Sequence, residues 1–173
     1  MIWQALSPIS EKIRWNNPLL ETGHGWQYTA TLPNFGGKIV GVDPGVNLGI
    51  TLIDHENVRI FHGKLKTLRE QRIEYSVMAH DLLVNLIDEY KMSKATFVLE
   101  GAAFNKTFGQ VQLAEVRTGY YIAMKHYSEE IAIPAPMSVR KKVCGDGRVQ
   151  PGDLWPNVNH NACDSLSIAL YAV

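Results

Sequence analysis

Apolar and polar positions change rhythm several times along this chain of 173 residues. From Lys38 onward, short apolar runs predict β-strands over 38–43, 48–53 and 58–63. Asp43-Pro44-Gly45 and Asp54-His55-Glu56-Asn57 separate them, and turns this short join antiparallel neighbours into a meander. From Arg69 to about Tyr90 the period lengthens: Tyr75, Met78, Ala79, Leu82, Leu83, Leu86, Ile87 and Tyr90 recur at steps of three and four. That spacing predicts an amphipathic helix with acids and amides outward. A buried strand over 95–99 follows, then a helix over 109–126 in which Ala114, Gly119 and Ala123 offer close-packing positions. Next come a short strand Ile131-Ala132-Ile133, a basic segment, a Gly/Pro-rich loop from Gly145 to Pro156, and a last helix from about Val158. This order predicts an α/β fold with a five-stranded mixed sheet, three strands antiparallel and the rest joined by helical crossovers, with helices on both faces.

Residues 1–37 lack a sustained period and hold Trp3, Trp15, Trp26 and Tyr28 among Pro8, Pro18 and Pro33. They read as an N-terminal extension to one domain over 38–173. Its aromatics are expected to pack on that domain or on a partner subunit rather than to stack on bases.

Composition, with 46% hydrophobic and 20% charged residues, is that of an ordinary globular protein with a real core. A formal net charge of zero argues against nonspecific coating of nucleic acid. Local charge differs: Arg140, Lys141, Lys142 and Arg148 cluster around a single Asp146, and Arg59, Lys64, Lys66, Arg69 and Arg72 form a second basic stretch. Such runs are most often solvated faces. No run reaches the ~18 to 20 apolar residues of a membrane span, and Glu11, Lys12 and Arg14 interrupt the start, unlike a signal peptide. A cytoplasmic protein without membrane contact is the expectation. Cys144 and Cys163 form no C-x-x-C pair, so reduced thiols are expected rather than a zinc ribbon or a redox motif.

Three acids stand at the edges of apolar elements: Asp43 after 38–42, Glu100 after 95–99, and Asp164 in the last helix. If the first and fourth strands lie side by side, Asp43 and Glu100 converge. His160 and Asn161 precede Asp164 by four and three residues and share its helical face. Taken singly, each has an ordinary explanation as a turn residue, a solvated acid or a helix cap. Together, oxygen ligands without cysteine favour magnesium or manganese over zinc. Two such ions ~3.5 to 4 Å apart suit phosphodiester hydrolysis, with a histidine as ligand or water-positioning group.

Over roughly residues 38–173 the chain resembles the RuvC family of Holliday junction resolvases, within the RNase H-like nuclease superfamily. Gly41-Val42-Asp43-Pro44-Gly45 through Gly49 is similar to the family's opening motif, and Val98-Leu99-Glu100 to its second carboxylate strand. Gln110 to Tyr121, with Arg117 and Gly119, resembles the helix that follows. Val139 to Val143 with Gly145-Asp146-Gly147-Arg148 resembles the basic segment, and Ala162 to Leu170 around Asp164 the last motif. The resemblance implies an RNase H-like fold and a homodimeric, metal-dependent endodeoxyribonuclease. It implies paired symmetric nicks across four-way DNA junctions, in a bacterial or virus-infected bacterial cytoplasm. It also implies that Asp43, Glu100 and Asp164 are metal ligands; Mg2+ or Mn2+, two ions per site, is the expected cofactor, and His160 is a further candidate ligand.

One position departs from the pattern. The family's last motif often carries an Asp or His three residues before its final Asp, where this chain has Asn161, with His160 one residue earlier. Three explanations stay open: His160 substitutes, Asn161 ligates through its carbonyl oxygen, or Asn161 replaces a natural Asp and disables the site. Expected DNA contacts are Arg140, Lys141, Lys142 and Arg148, then Lys106 and Arg117. Phe104, and Phe108 beside it, follow Glu100 where such resolvases reach toward the junction core. An actin-like or sugar-kinase ATPase, a noncatalytic junction-binding module, and an RNase H-like nuclease acting on hybrid or flap substrates are the competing readings. The first would need a second phosphate turn and a far longer chain.

Overall fold

The computed structural model describes residues 1–33, 35–66, 74–102 and 110–173. A short 3-10 turn at Ile2–Ala5 leads to β1 (Ile13–Asn16), β2 (His24–Thr31), β3 (Lys38–Asp43), β4 (Asn47–Asp54) and β5 (Asn57–Lys64). Then follow α1 (Glu74–Glu89), β6 (Thr96–Leu99), α2 (Gln110–Lys125), β7 (Ile131–Ala132), α3 (Pro136–Cys144), α4 (Pro151–Leu154) and α5 (His160–Leu170).

All seven strands form one sheet in the order β1-β2-β5-β4-β3-β6-β7. The meander β3-β4-β5 is antiparallel, while β6 lies parallel to β3 and β7 parallel to β6. The expected five-stranded sheet is therefore corrected to seven: residues read as an irregular extension add β1 and β2, antiparallel, beyond β5. Pairing of β2 with β5, and of β1 with β2, satisfies backbone groups that neither short segment could satisfy alone.

Alternation along the strands divides the core in two. Val40, Val42, Leu48, Ile50, Phe61, Phe97 and Leu99 face α1 and α2, where Leu82, Leu83, Val116 and Tyr120 close the layer. Ile39, Ile53, Val58, Ile60 and Val98 face α3 and α5 through Val139, Val143, Leu166 and Ala169. Trp15 joins the first cluster edge-on to Phe61, with ring centroids 4.9 Å apart. Trp3 packs beside the second.

α5 lies close on the sheet because the strands beneath it carry glycine. A Cβ at Gly41 would stand 2.6 Å from the Ala169 nitrogen and 2.7 Å from its Cα. A Cβ at Gly49 would overlap the carbonyl oxygen of Asn161. Between them the buried Thr51 and Ser165 hydroxyls bond at 2.9 Å, and Ser165 also donates to the Ala162 carbonyl at 3.0 Å. The Asn159 side chain caps α5 by accepting the Asn161 N–H at 2.9 Å.

The stretch read as a basic segment and loop contains α3, with Pro136 at its start and Gly145 ending it at φ 87°. α4, with Pro151 in its first turn, follows. Among the described residues, no helix is long and apolar enough to cross a membrane.

Candidate active site

Asp43 ends β3 and pairs in register with Gly49 of β4. Val42 is matched with Leu99, and the Glu100 N–H donates to the Val42 carbonyl at 3.1 Å. Parallel pairing thus carries two carboxylates side by side out of the same sheet edge. Asp43, like Gly41, projects toward α5, whose first turns cover Gly49. Asp164 lies on those turns, one residue before Ser165, whose Cβ would be 3.0 Å from a Cβ at Gly49. Asp43, Glu100 and Asp164 are all half-buried.

Burial and the nearby charge of Asp43 push the Tyr120 phenol well above its usual range, so this buried α2 residue lies neutral beneath the carboxylate edge. Burial and Asp164 push the Cys163 thiol up to about 12, and burial also raises Cys144. Both cysteines are free and protonated, which leaves oxygen donors to define the edge. Their chemistry fits a hard divalent cation. Among the described residues, no three of His, Cys, Asp and Glu are grouped to hold one ion.

His160 is exposed at the start of α5. Asn161 is half-buried, its N–H capped and its carbonyl against Gly49. Lys141 is exposed on α3, whereas the Lys142 ammonium donates to the Tyr171 carbonyl and lies 4.9 Å from the centre of that ring. Arg140 is half-buried, and Arg148 pairs with Asp146 at 3.1 Å while remaining open to solvent. Arg117 is half-buried on α2, its Nε shielded without a partner among the described residues. Phe104, Lys106 and Phe108 lie outside the described residues.

His62 escapes the sequence pattern because it occupies an ordinary alternating position of β5. It pairs with Gly49, two strands from Asp43, and stacks on Tyr28 at 5.7 Å. Burial, then the charges of Lys12 and His160, push its pKa from 6.5 down to about 4. The folded protein therefore holds His62 neutral, while the unfolded chain takes up a proton below 6.5. Stability present above pH 6.5 is expected to fall as the pH drops toward 4. Thermal unfolding at pH 7 and pH 5 checks this, with His62→Gln narrowing the difference between the two.

The carboxylates thus stand at the C-terminal edge of β3 and β6, and α5 lies on the face of the mixed sheet with its first turn near that edge. No protein-family model matches the chain, and no curated protein matches it. Solved structures do. RuvC from Thermus thermophilus aligns with a TM-score of 0.59 and 19% identity, covering 78% of this chain and 92% of that one. RuvC from the same organism in complex with a Holliday junction substrate aligns with a TM-score of 0.59 and 16% identity, over 78% and 91% of the two chains. The protein has the RuvC-like fold.

Proposed function

We propose that this chain is a structure-selective endodeoxyribonuclease that resolves four-way DNA junctions by paired nicks, acting as a homodimer. The carrying observation is the pair Asp43 and Glu100, neighbours across the parallel β3/β6 edge beneath the first turns of α5, on a RuvC-like fold. Asp43, Glu100 and Asp164, together with His160, would hold Mg2+ or Mn2+. When bound, the cations supply a water acidic enough to attack phosphate and stabilise the leaving oxygen.

The chain's own residues set the geometry. Asn159 fixes where α5 begins, and the Thr51–Ser165 bond fixes how it lies on β4, so the turns that carry Asp164 are seated by rigid neighbours. Lys141 and Arg148 offer exposed cations to phosphates, which position DNA without reading bases. Exposed Val77 of α1 and Val111 and Ile122 of α2 support a homodimer, with two-fold symmetry setting two centres at a fixed separation.

The T. thermophilus RuvC complex with a Holliday junction substrate supports this choice of substrate. The half-buried Asn161, where an acid would complete the first turn of α5, favours the second reading, a junction-binding module without catalysis. Labelled four-way junctions with Mg2+ or Mn2+, beside duplex, fork and RNA·DNA hybrid, test both readings with this protein and Asn161→Asp. Symmetric nicks confined to junctions are expected. Cutting by Asn161→Asp alone would mark position 161 as a disabled ligand, tight binding without cutting by either would establish the binding module, and preference for hybrid or fork would change the substrate.

A further inference from the structure

Strand register aligns the N-terminal extension with the carboxylate edge. Arg14 of β1 is opposite Trp26 of β2, Trp26 opposite His62 of β5, His62 opposite Gly49 of β4, and Gly49 opposite Asp43 of β3. Residues directly opposed across a sheet project to the same face. One row therefore runs from the candidate centre to the outermost strand, on the side that carries α5. Four interstrand steps of about 4.8 Å make it about 19 Å long.

The far end of the row is cationic, and its cations are ordered by aromatic rings instead of acids. The Lys12 ammonium sits over the Trp26 ring, 4.5 Å from its centre, and Trp26 meets His24 edge-on at 5.6 Å. The Arg14 guanidinium lies 3.1 Å from His24 Nδ1. Among the described residues neither cation takes part in an ion pair, in contrast to Lys38 with Asp54, Lys64 with Glu21 and Arg148 with Asp146. Exposed Glu11 is the acid beside them, sharing with Lys12, Tyr28, His62 and Asn159 the cleft that opens toward α5. A cation held on an aromatic platform loses little freedom on meeting a phosphate and surrenders no carboxylate partner.

We infer that β1 and β2 form a landing strip for a DNA arm leaving the carboxylate edge, with Lys12 and Arg14 on its backbone phosphates and Trp26 positioning Lys12. This rests on the nuclease reading and extends it. At 3.4 Å per base pair, the row reaches about five to six base pairs along an arm.

The test uses the intact protein and a fluorescent four-way junction in EDTA, with affinity followed against salt. Lys12→Ala/Arg14→Ala is expected to lower the slope of log affinity against log salt by about 1.8 for each protomer engaged, two phosphate contacts at about 0.9 each, and so by about 3.6 when both protomers of a dimer hold arms. Trimming the arms to about four base pairs is expected to weaken binding by the original protein and to leave the double variant's affinity nearly unchanged. Cleavage from saturated complexes, followed separately with Mg2+ in place of EDTA, is expected to stay as before. Both side chains are exposed, so thermal unfolding is expected to match the original. An unchanged slope together with equal arm-length dependence would overturn the inference and leave the charges as guards of an edge strand, with junction cleavage by the original protein still intact. Failure of the original protein to bind any branched DNA would overturn the nuclease reading and this inference with it.

Discussion

Replacing Asp43 by asparagine is expected to reduce junction cleavage more than a hundredfold while leaving junction binding within a few-fold. Groups that merely support a metal ligand are worth about 10- to 100-fold in affinity or activity, so loss of a ligand itself should exceed that. Asparagine preserves the shape of a half-buried side chain at the end of β3 and keeps the turn into β4. What disappears is one negative charge beside Glu100, on the edge where cations would be drawn together. Removing that charge near DNA phosphates also relieves repulsion, so affinity should hold or rise. Single-turnover cleavage at saturating protein, with anisotropy for binding and thermal unfolding for the fold, separates these effects. If binding or folding fell along with cleavage, Asp43 would be a structural turn residue.

Gly49→Ala should cost both stability and activity. The added methyl would overlap the Asn161 carbonyl, which is backbone and cannot rotate away, so the first turn of α5 must lift from the sheet. Overpacking of this kind costs about 1 to 3 kcal/mol, several degrees of Tm in a chain of this size. The same displacement would move Asp164 away from the edge that holds Asp43 and Glu100. Gly41→Ala provides the comparison, because its methyl would press on Ala169, about two turns farther along α5. Similar destabilisation with much better retained cleavage is expected there. Equal losses of cleavage in the two variants would mean that general loosening, rather than the position of the first turn, governs the site. Thermal unfolding and single-turnover cleavage of both proteins decide the matter.

The meander and the helices are legible in the chain because their apolar periods are long or their turns are marked. Asp43-Pro44-Gly45 can only be a turn, and the three- and four-residue steps from Tyr75 to Tyr90 can only be one helical face. Asp43 and Glu100 can be read as neighbours because an α/β element order makes the first and fourth strands adjacent. β1 and β2 were not legible, for a physical reason. In β2 an inward position is Gly25, where a Cβ would meet the His62 carbonyl and Trp15, so close packing replaces the apolar residue that alternation would look for. β1 is four residues long, and only Trp15 among them is buried. β2 becomes a strand by pairing with β5, from Thr31 with Asn57 to Trp26 with His62, contacts that no local window contains, and β1 then adds to β2. α3 was legible after the fact, since Pro136 and Gly145 bracket it, but its many cations hid the two buried valines that seat it. His62, Lys12 and Trp26 carry no motif, and only strand register lines them up with Asp43.

The Thr51–Ser165 hydroxyl pair adds little net energy, since two alcohols leave water to make one shared bond. Its effect is on uniqueness. An apolar helix on an apolar sheet can slide by a residue or a turn at modest expense, whereas sliding α5 would strand the Thr51 hydroxyl in hydrocarbon and leave Ser165 only its bond to the Ala162 carbonyl. The pair therefore penalises every alternative seating of α5 more than it rewards the native one. Because Asp164 immediately precedes Ser165, two uncharged side chains decide which seating places that acid relative to the carboxylate edge.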